Sequence, residues 1–164
     1  MSSTYLEVYE EEFERLAEAL RRLRYASNAE AVFLIDKNGQ QIASAGEVEN
    51  FDSTSLASLT AGNVAATDGL AKLIGEREFS VLFHEGERDH IHISLVADRA
   101  ILLVIFNERS SLGLVRLRVR RANEELEQIF HEVTNKHEKD EGDKAPASPF
   151  WEITDEDIDS LFNE

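Results

Sequence analysis

The chain has no cysteine, only two prolines, one methionine and one tryptophan in 164 residues. Without cysteine there can be no disulfide, no thiolate nucleophile and no thiolate metal ligand, a composition that suits the cytosol. Long hydrophobic runs are also missing. The longest, residues 100–106, is far too short to cross a bilayer. The opening MSSTYLEVYEEEFERL is acidic and lacks an apolar segment, so no secretory signal is expected. Positive charge is scarce, with 17 Lys and Arg against 33 Asp and Glu and a net charge of −16. That balance argues against nucleic acid and against anionic membranes as partners.

What remains is the composition of a soluble globular protein, 42% hydrophobic and 30% charged, long enough for one domain with a real core plus an appendage. The domain is expected over residues 1–134. Both prolines, Pro146 and Pro149, lie beyond it, in a charged stretch (135–149) that holds no apolar residue larger than Ala and reads as a flexible linker. Residues 150–164 then form an acidic segment in which apolar side chains return.

Apolar periodicity predicts the elements in order. Leu6, Tyr9, Phe13, Leu16, Leu20 and Leu23 are spaced three and four apart, an amphipathic helix over about residues 5–26. Residues 31–36 (AVFLID) read as a buried strand, Asp36-Lys37-Asn38-Gly39 as a tight turn, and residues 40–45 as the returning strand. Three more strands follow at 79–84, 90–96 and 100–106 as an antiparallel meander, the last apolar on both faces and therefore central. A final helix runs from a Ser110 or Ser111 cap to about residue 133 on a stripe of Leu112, Val115, Val119, Ala122, Leu126, Ile129, Phe130 and Val133. Leu114 and Leu117 fall on its other side, beside Arg118 and Arg121, and leave room for a second contact.

Residues 53–74 (STSLASLTAGNVAATDGLAKLI) are predicted as the remaining helix, capped by Asp52 or Ser53 and ended near Gly75. Its expected core face is Leu56, Leu59, Asn63, Ala66, Leu70, Leu73 and Ile74. The opposite face carries Ser58, Ala61, Gly62, Ala65, Asp68, Gly69 and Lys72. A solvated face would normally hold long helix-favouring residues. This one holds two mid-helix glycines, each costing roughly 0.5–1 kcal/mol relative to Ala. The reading is a docking face that another backbone can approach closely; the alternatives are a surface helix without a partner or a break near Gly69.

In the terminal segment, Thr154 and Asp157 resemble a capping box, and Ile158, Leu161 and Phe162 stand at i, i+3 and i+4. A short tethered helix with an apolar ridge suits helix-in-groove recognition, with folding back onto its own domain as the alternative.

Catalytic signatures are missing as well. GxxxxGK[ST], GxSxG and HExxH do not occur. His84, Glu85, His90 and His92 form the one metal-like grouping, read as solvated strand residues, so no metal or cofactor is expected. Arg77, Arg88, Arg99 and Arg109 sit at turns or element ends where an arginine finger could stand, but nothing singles one out.

The element order, an α-β-β-α-β-β-β-α arrangement of α+β type with a five-stranded antiparallel sheet, resembles the roadblock/dynein-light-chain (longin-like) fold. VFLIDKNGQQIASAGE, DSTSLASLTAGNVAATDGLAKLIGE, FHEG and FNERSSLGLVRLRVRRANEEL, with the terminal SPFWEITDEDIDSLFNE, are similar to the bacterial MglB family of polarity regulators. The resemblance implies a cytoplasmic homodimer, associated with cell polarity and gliding motility and concentrated at a cell pole, whose sheets join edge to edge. The paired central helices would form a platform for one small Ras-like GTPase, MglA. It further implies non-enzymatic GTPase activation without an arginine finger: the GTPase's switch regions shift so that its own arginine and glutamine reach the nucleotide. Ala65 and Gly69 match the family's contact positions. Phe150, Trp151, Ile153, Ile158, Leu161 and Phe162 match a terminal segment implicated in GTPase contact and nucleotide exchange. A scaffold dimer that recruits other polarity proteins is the alternative.

Overall fold

The computed structural model describes the backbone of residues 2–144 and the side chains of residues 10–136. The terminal-segment residues Phe150, Trp151, Ile153, Ile158, Leu161 and Phe162 lie outside the described residues, as do residues 145–149 of the expected linker. Residues Met1–Phe130 make one compact unit and His131–Glu164 a second. In the second, the described part is the end of a helix.

The elements are α1 (Ser2–Ser27), β1 (Ala31–Asp36), β2 (Gln41–Gly46), α2 (Ser53–Leu73), β3 (Val81–Glu85), β4 (His90–Val96), β5 (Ala100–Phe106) and α3 (Leu112–Lys144), with a short 3-10 turn at Val48–Asn50. The five strands form one antiparallel sheet in the order β2-β1-β5-β4-β3. β5 is central and buried along its whole length, as its two-sided apolar sequence predicts. The β1–β2 turn closes through the Asp36 carboxylate, which accepts from the backbone N–H groups of Asn38 and Gln40 at 2.9 Å each. Gly39 takes the positive φ of +90° that this turn requires. The β4–β5 turn places Ala97 and Asp98 at φ 52° and 56°, the mirror-image geometry that suits the twist of a two-residue hairpin.

The strand pleat sends alternate residues to opposite faces. Ala31, Phe33, Ile35, Ile93, Ile101, Leu103 and Ile105 meet α2 through Ala57, Ala61 and Val64. The other face lies under α1 and α3: Asn123 of α3 reaches Ser94 of β4, and Arg22 of α1 pairs with Glu125 of α3.

Three expectations are corrected. First, α2 has the expected span but a different roll. Ala57, Thr60, Ala61, Val64 and Ala71 are buried, whereas Leu59, Leu70, Leu73 and Ile74 are exposed. The sheet beneath supplies the bulk in Phe33 and its Ile and Leu neighbours, so the helix complements it with small side chains and comes close. At the near end, a Cβ on Gly39 would stand 3.2 Å from the Ser58 Cα. Ala61 therefore belongs to the core and not to an open docking face. Second, α3 continues to Lys144, so residues 135–144 of the expected linker are helical. Those ten residues hold no apolar side chain, so apolar periodicity cannot register them, and with no proline before Pro146 nothing bars the helix from running on. Third, His92 is not solvated. It is 1% exposed, between the sheet and α3.

Candidate partner-binding face

α2 is held firmly at both ends. The Asp52 carboxylate caps it, accepting from the Ser55 backbone N–H at 3.2 Å and the Ser55 hydroxyl at 2.7 Å. Those bonds hold its carboxyl below the usual Asp range. At the other end Gly75 takes φ +81°, and Glu76 N–H closes on Ala71 C=O at 2.8 Å.

Between the caps, the outer surface has two adjoining stripes. Ser58, Gly62, Ala65, Gly69 and Lys72 form a small stripe, all exposed, and Leu59, Ala66, Leu70 and Leu73 form an aliphatic stripe beside it. Asp68 is half-buried at the border with the core. Leu59 is 73% exposed and Leu73 83%. Each such side chain would gain about 1.5–3 kcal/mol on full burial, so their alignment on one helix marks an incomplete surface. Nothing lies within 4 Å of a Cβ placed on Gly62 or Gly69. The chain's own packing therefore does not require glycine at either position.

Tied to this helix through His84 is β3, one of the two edge strands of the sheet, with Val81 46% exposed and no strand of the chain beyond it among the described residues. Like any edge strand, it leaves a row of backbone N–H and C=O groups free to pair with another chain.

The remaining candidates separate. His84 bonds to Asn63, and the His90 ring lies against Phe83 and Phe106 at centroid distances of 6.1 and 5.2 Å. His92 is buried, and desolvation, reinforced by the nearby Arg116 charge, lowers its pKa below 6.5. Among the described residues no three His, Asp or Glu side chains are placed to hold a metal ion. Arg77, Arg99 and Arg109 are exposed and scattered, while Arg88 lines a polar cleft with Glu30, Glu87, Asp89, His90, Asn107 and Glu108. In that cleft Asn107 donates to Glu30. Partial desolvation and the neighbouring Asp89 carboxylate raise the Glu30 pKa. Its residues come from the ends of three strands, a proximity with no signature in the linear sequence.

A small outer helix face beside an open sheet edge, with α-β-β-α-β-β-β-α connectivity, matches a known class. The Roadblock/LC7 domain family model matches residues 15–106, and the chain belongs to that family. Within it, the chain groups with the MglB proteins. It is 56% identical to Myxococcus xanthus MglB, covering 73% of this chain and 90% of that one with a TM-score of 0.72. It is 35% identical to the gliding protein MglB of Thermus thermophilus, covering 74% and 92% with a TM-score of 0.71. It is likewise 35% identical to an MglB with a tetrameric arrangement, covering 74% and 91% with a TM-score of 0.69. No curated protein matches the chain. No helix among the described residues is long and apolar enough to cross a membrane.

Proposed function

We propose that this chain is a non-enzymatic activator of a small Ras-like GTPase of the MglA type and works in control of cell polarity and motility. It acts as a cytoplasmic homodimer, concentrated at a cell pole, with β3 edges joined and two copies serving one GTPase. The observation that carries this reading is the outer face of α2. It is too apolar for water, and its glycines leave room that the chain itself does not use. The aliphatic stripe and β3 edge suit pairing of two copies. The small stripe, around Ala65 and Gly69 with Ser58, Gly62 and Lys72, suits close approach of the GTPase's switch regions. Binding that favours the hydrolysis-competent arrangement of those regions speeds turnover without a group donated in trans. The terminal segment, through Phe150, Trp151, Ile153, Ile158, Leu161 and Phe162, adds contact and promotes nucleotide exchange.

The deciding experiment is GTP turnover by the cognate GTPase, with and without this protein, using the full chain and a chain lacking residues 145–164. Stimulated turnover supports the reading, and an unchanged rate with intact binding favours the scaffold. The scaffold reading has its own structural support in Leu117, 60% exposed on α3 among arginines and far from α2 in the fold's layering.

A further inference from the structure

We infer that the groove between α1 and α3 is a second docking site, which receives an acidic amphipathic segment of another protein. The groove, of about 320 Å³, is floored by Ala19, Leu23 and Ala122 and edged by Arg118 and Arg121. At one side Arg22 is already neutralised, pairing with Glu125 and with Glu18 at 3.5 Å. Arg118 and Arg121 have no such partner among the described residues. The Arg118 Nε is buried and makes no hydrogen bond. Both guanidinium groups line the groove, where a carboxylate entering with a bound segment can pair with them.

The charge distribution points the same way. The groove lining carries three arginines (Arg22, Arg118, Arg121) against one carboxylate (Glu125). This is a positive island on a protein whose net charge is −16. A long polyanion would meet that overall charge. A short acidic segment engages only the island, within a screening length of about 8–10 Å. The apolar floor asks for aliphatic side chains, which a free phosphate cannot supply. The cleft between the two helices, bridged at one side by Arg22 and Glu125, suits a row of side chains rather than a membrane plane.

The probe is a fluorescent 14-residue helical peptide with a Leu/Ile ridge flanked by Asp and Glu, titrated into the full-length protein and followed by anisotropy. Comparators are its Lys-for-acid analogue, polyglutamate, vesicles rich in phosphatidylserine, and duplex DNA. The acidic amphipathic peptide should bind, weaken as salt rises, and lose at least tenfold in affinity with Arg118→Glu/Arg121→Glu. Ala26→Glu, an exposed substitution on the groove rim, should weaken it too. Circular dichroism should show both variants folded. Overturning results are no binding, equal binding to the double variant and to the parent, equal binding by polyglutamate, arginine-dependent capture of vesicles or DNA in preference to the peptide, or peptide binding only after residues 145–164 are removed, which would make this chain's own terminal segment the occupant. None of these readouts involves GTP turnover, so the groove and the α2 face are judged separately.

Discussion

Asn63 in the middle of α2 and His84 on β3 meet at 3.1 Å, side chain to side chain. Among the described residues this is the only side-chain hydrogen bond between α2 and the sheet. An amide nitrogen can only donate, so the His84 Nε2 accepts in this geometry. Thr67 supports the amide from within the helix, its hydroxyl 2.7 Å from the Asn63 carbonyl and 3.5 Å from the Asn63 Oδ1. Asn63→Ala should lower stability by about 0.5–1.5 kcal/mol, the worth of one such bond. Hydrogen exchange of the β3 amides should accelerate relative to those of β5, because the edge strand loses its tie to the helix.

Gly69→Arg and Ala65→Arg place a long cation on the outer face of α2 while touching nothing inside the chain. The Gly69 position is open, and arginine favours helix by close to 1 kcal/mol over glycine. Thermal stability of Gly69→Arg should therefore hold or rise slightly while stimulated GTP hydrolysis is lost. Normal stimulation by either variant would remove the small stripe from the proposed interface.

The aliphatic stripe is tested by Leu70→Asp combined with Leu73→Asp. Both residues are exposed, so the individual chain should fold with a native circular dichroism spectrum. Light scattering should then report a monomer where the parent chain pairs. A double variant that still pairs would place the homodimer contact elsewhere.

Gly39→Val should destabilise the fold by about 1–3 kcal/mol. A β-branched residue is strained at φ +90°, and its Cβ would press on the Ser58 backbone. Thermal melts measure this directly, and a loss below about 0.5 kcal/mol would mean that the hairpin tip does not set the seating of α2.

His92 gives a pH prediction. Its folded pKa lies below the unfolded value near 6.5, since burial and Arg116 both oppose the imidazolium. Well above pH 6.5 the group is neutral in both states and its contribution is constant. As pH falls through that value the unfolded chain takes up the proton first, so stability declines until the folded pKa is passed. Melting temperatures from about pH 7.5 to 5 should fall more steeply for the parent chain than for His92→Leu. Parallel curves would show that His92 is not the group responsible.

Much of the fold was legible because pattern and environment agreed. Residues 31–36, 90–96 and 100–106 are strands where alternation and β-branched content place them. The roll of α2 was not legible for a physical reason. The helix has apolar residues on both sides, Leu on one stripe and Ala and Gly among polar residues on the other, and which side turns inward depends on the bulk of the sheet it meets. A rule that sends the larger residues inside fails when the opposing surface is already Phe33, Ile93 and Leu103. Ala65 and Gly69, which the resemblance matches to contact positions, are exposed, and neither the resemblance nor the periodicity marks Leu59, Leu70 and Leu73 as outward-facing. Strand alternation separates two faces without saying that α3 covers the second, and that is the face on which His92 is buried. The charged end of α3 has no apolar side chain, so a periodicity that reports burial is blind to it although the helix runs on to Lys144.

The short outer strand has a consequence for how the protein avoids its own misassembly. β3 offers only five residues, ends in Glu85, and is followed within three positions by Glu87 and Arg88. An arbitrary strand that added there would gain few backbone bonds and would have to accommodate charge at one end. A second copy of the same strand can also bring the leucines of its own α2 into contact, a gain that an unrelated strand cannot match. The open edge thus discriminates against amyloid-like growth while leaving a self-complementary partner the stronger competitor.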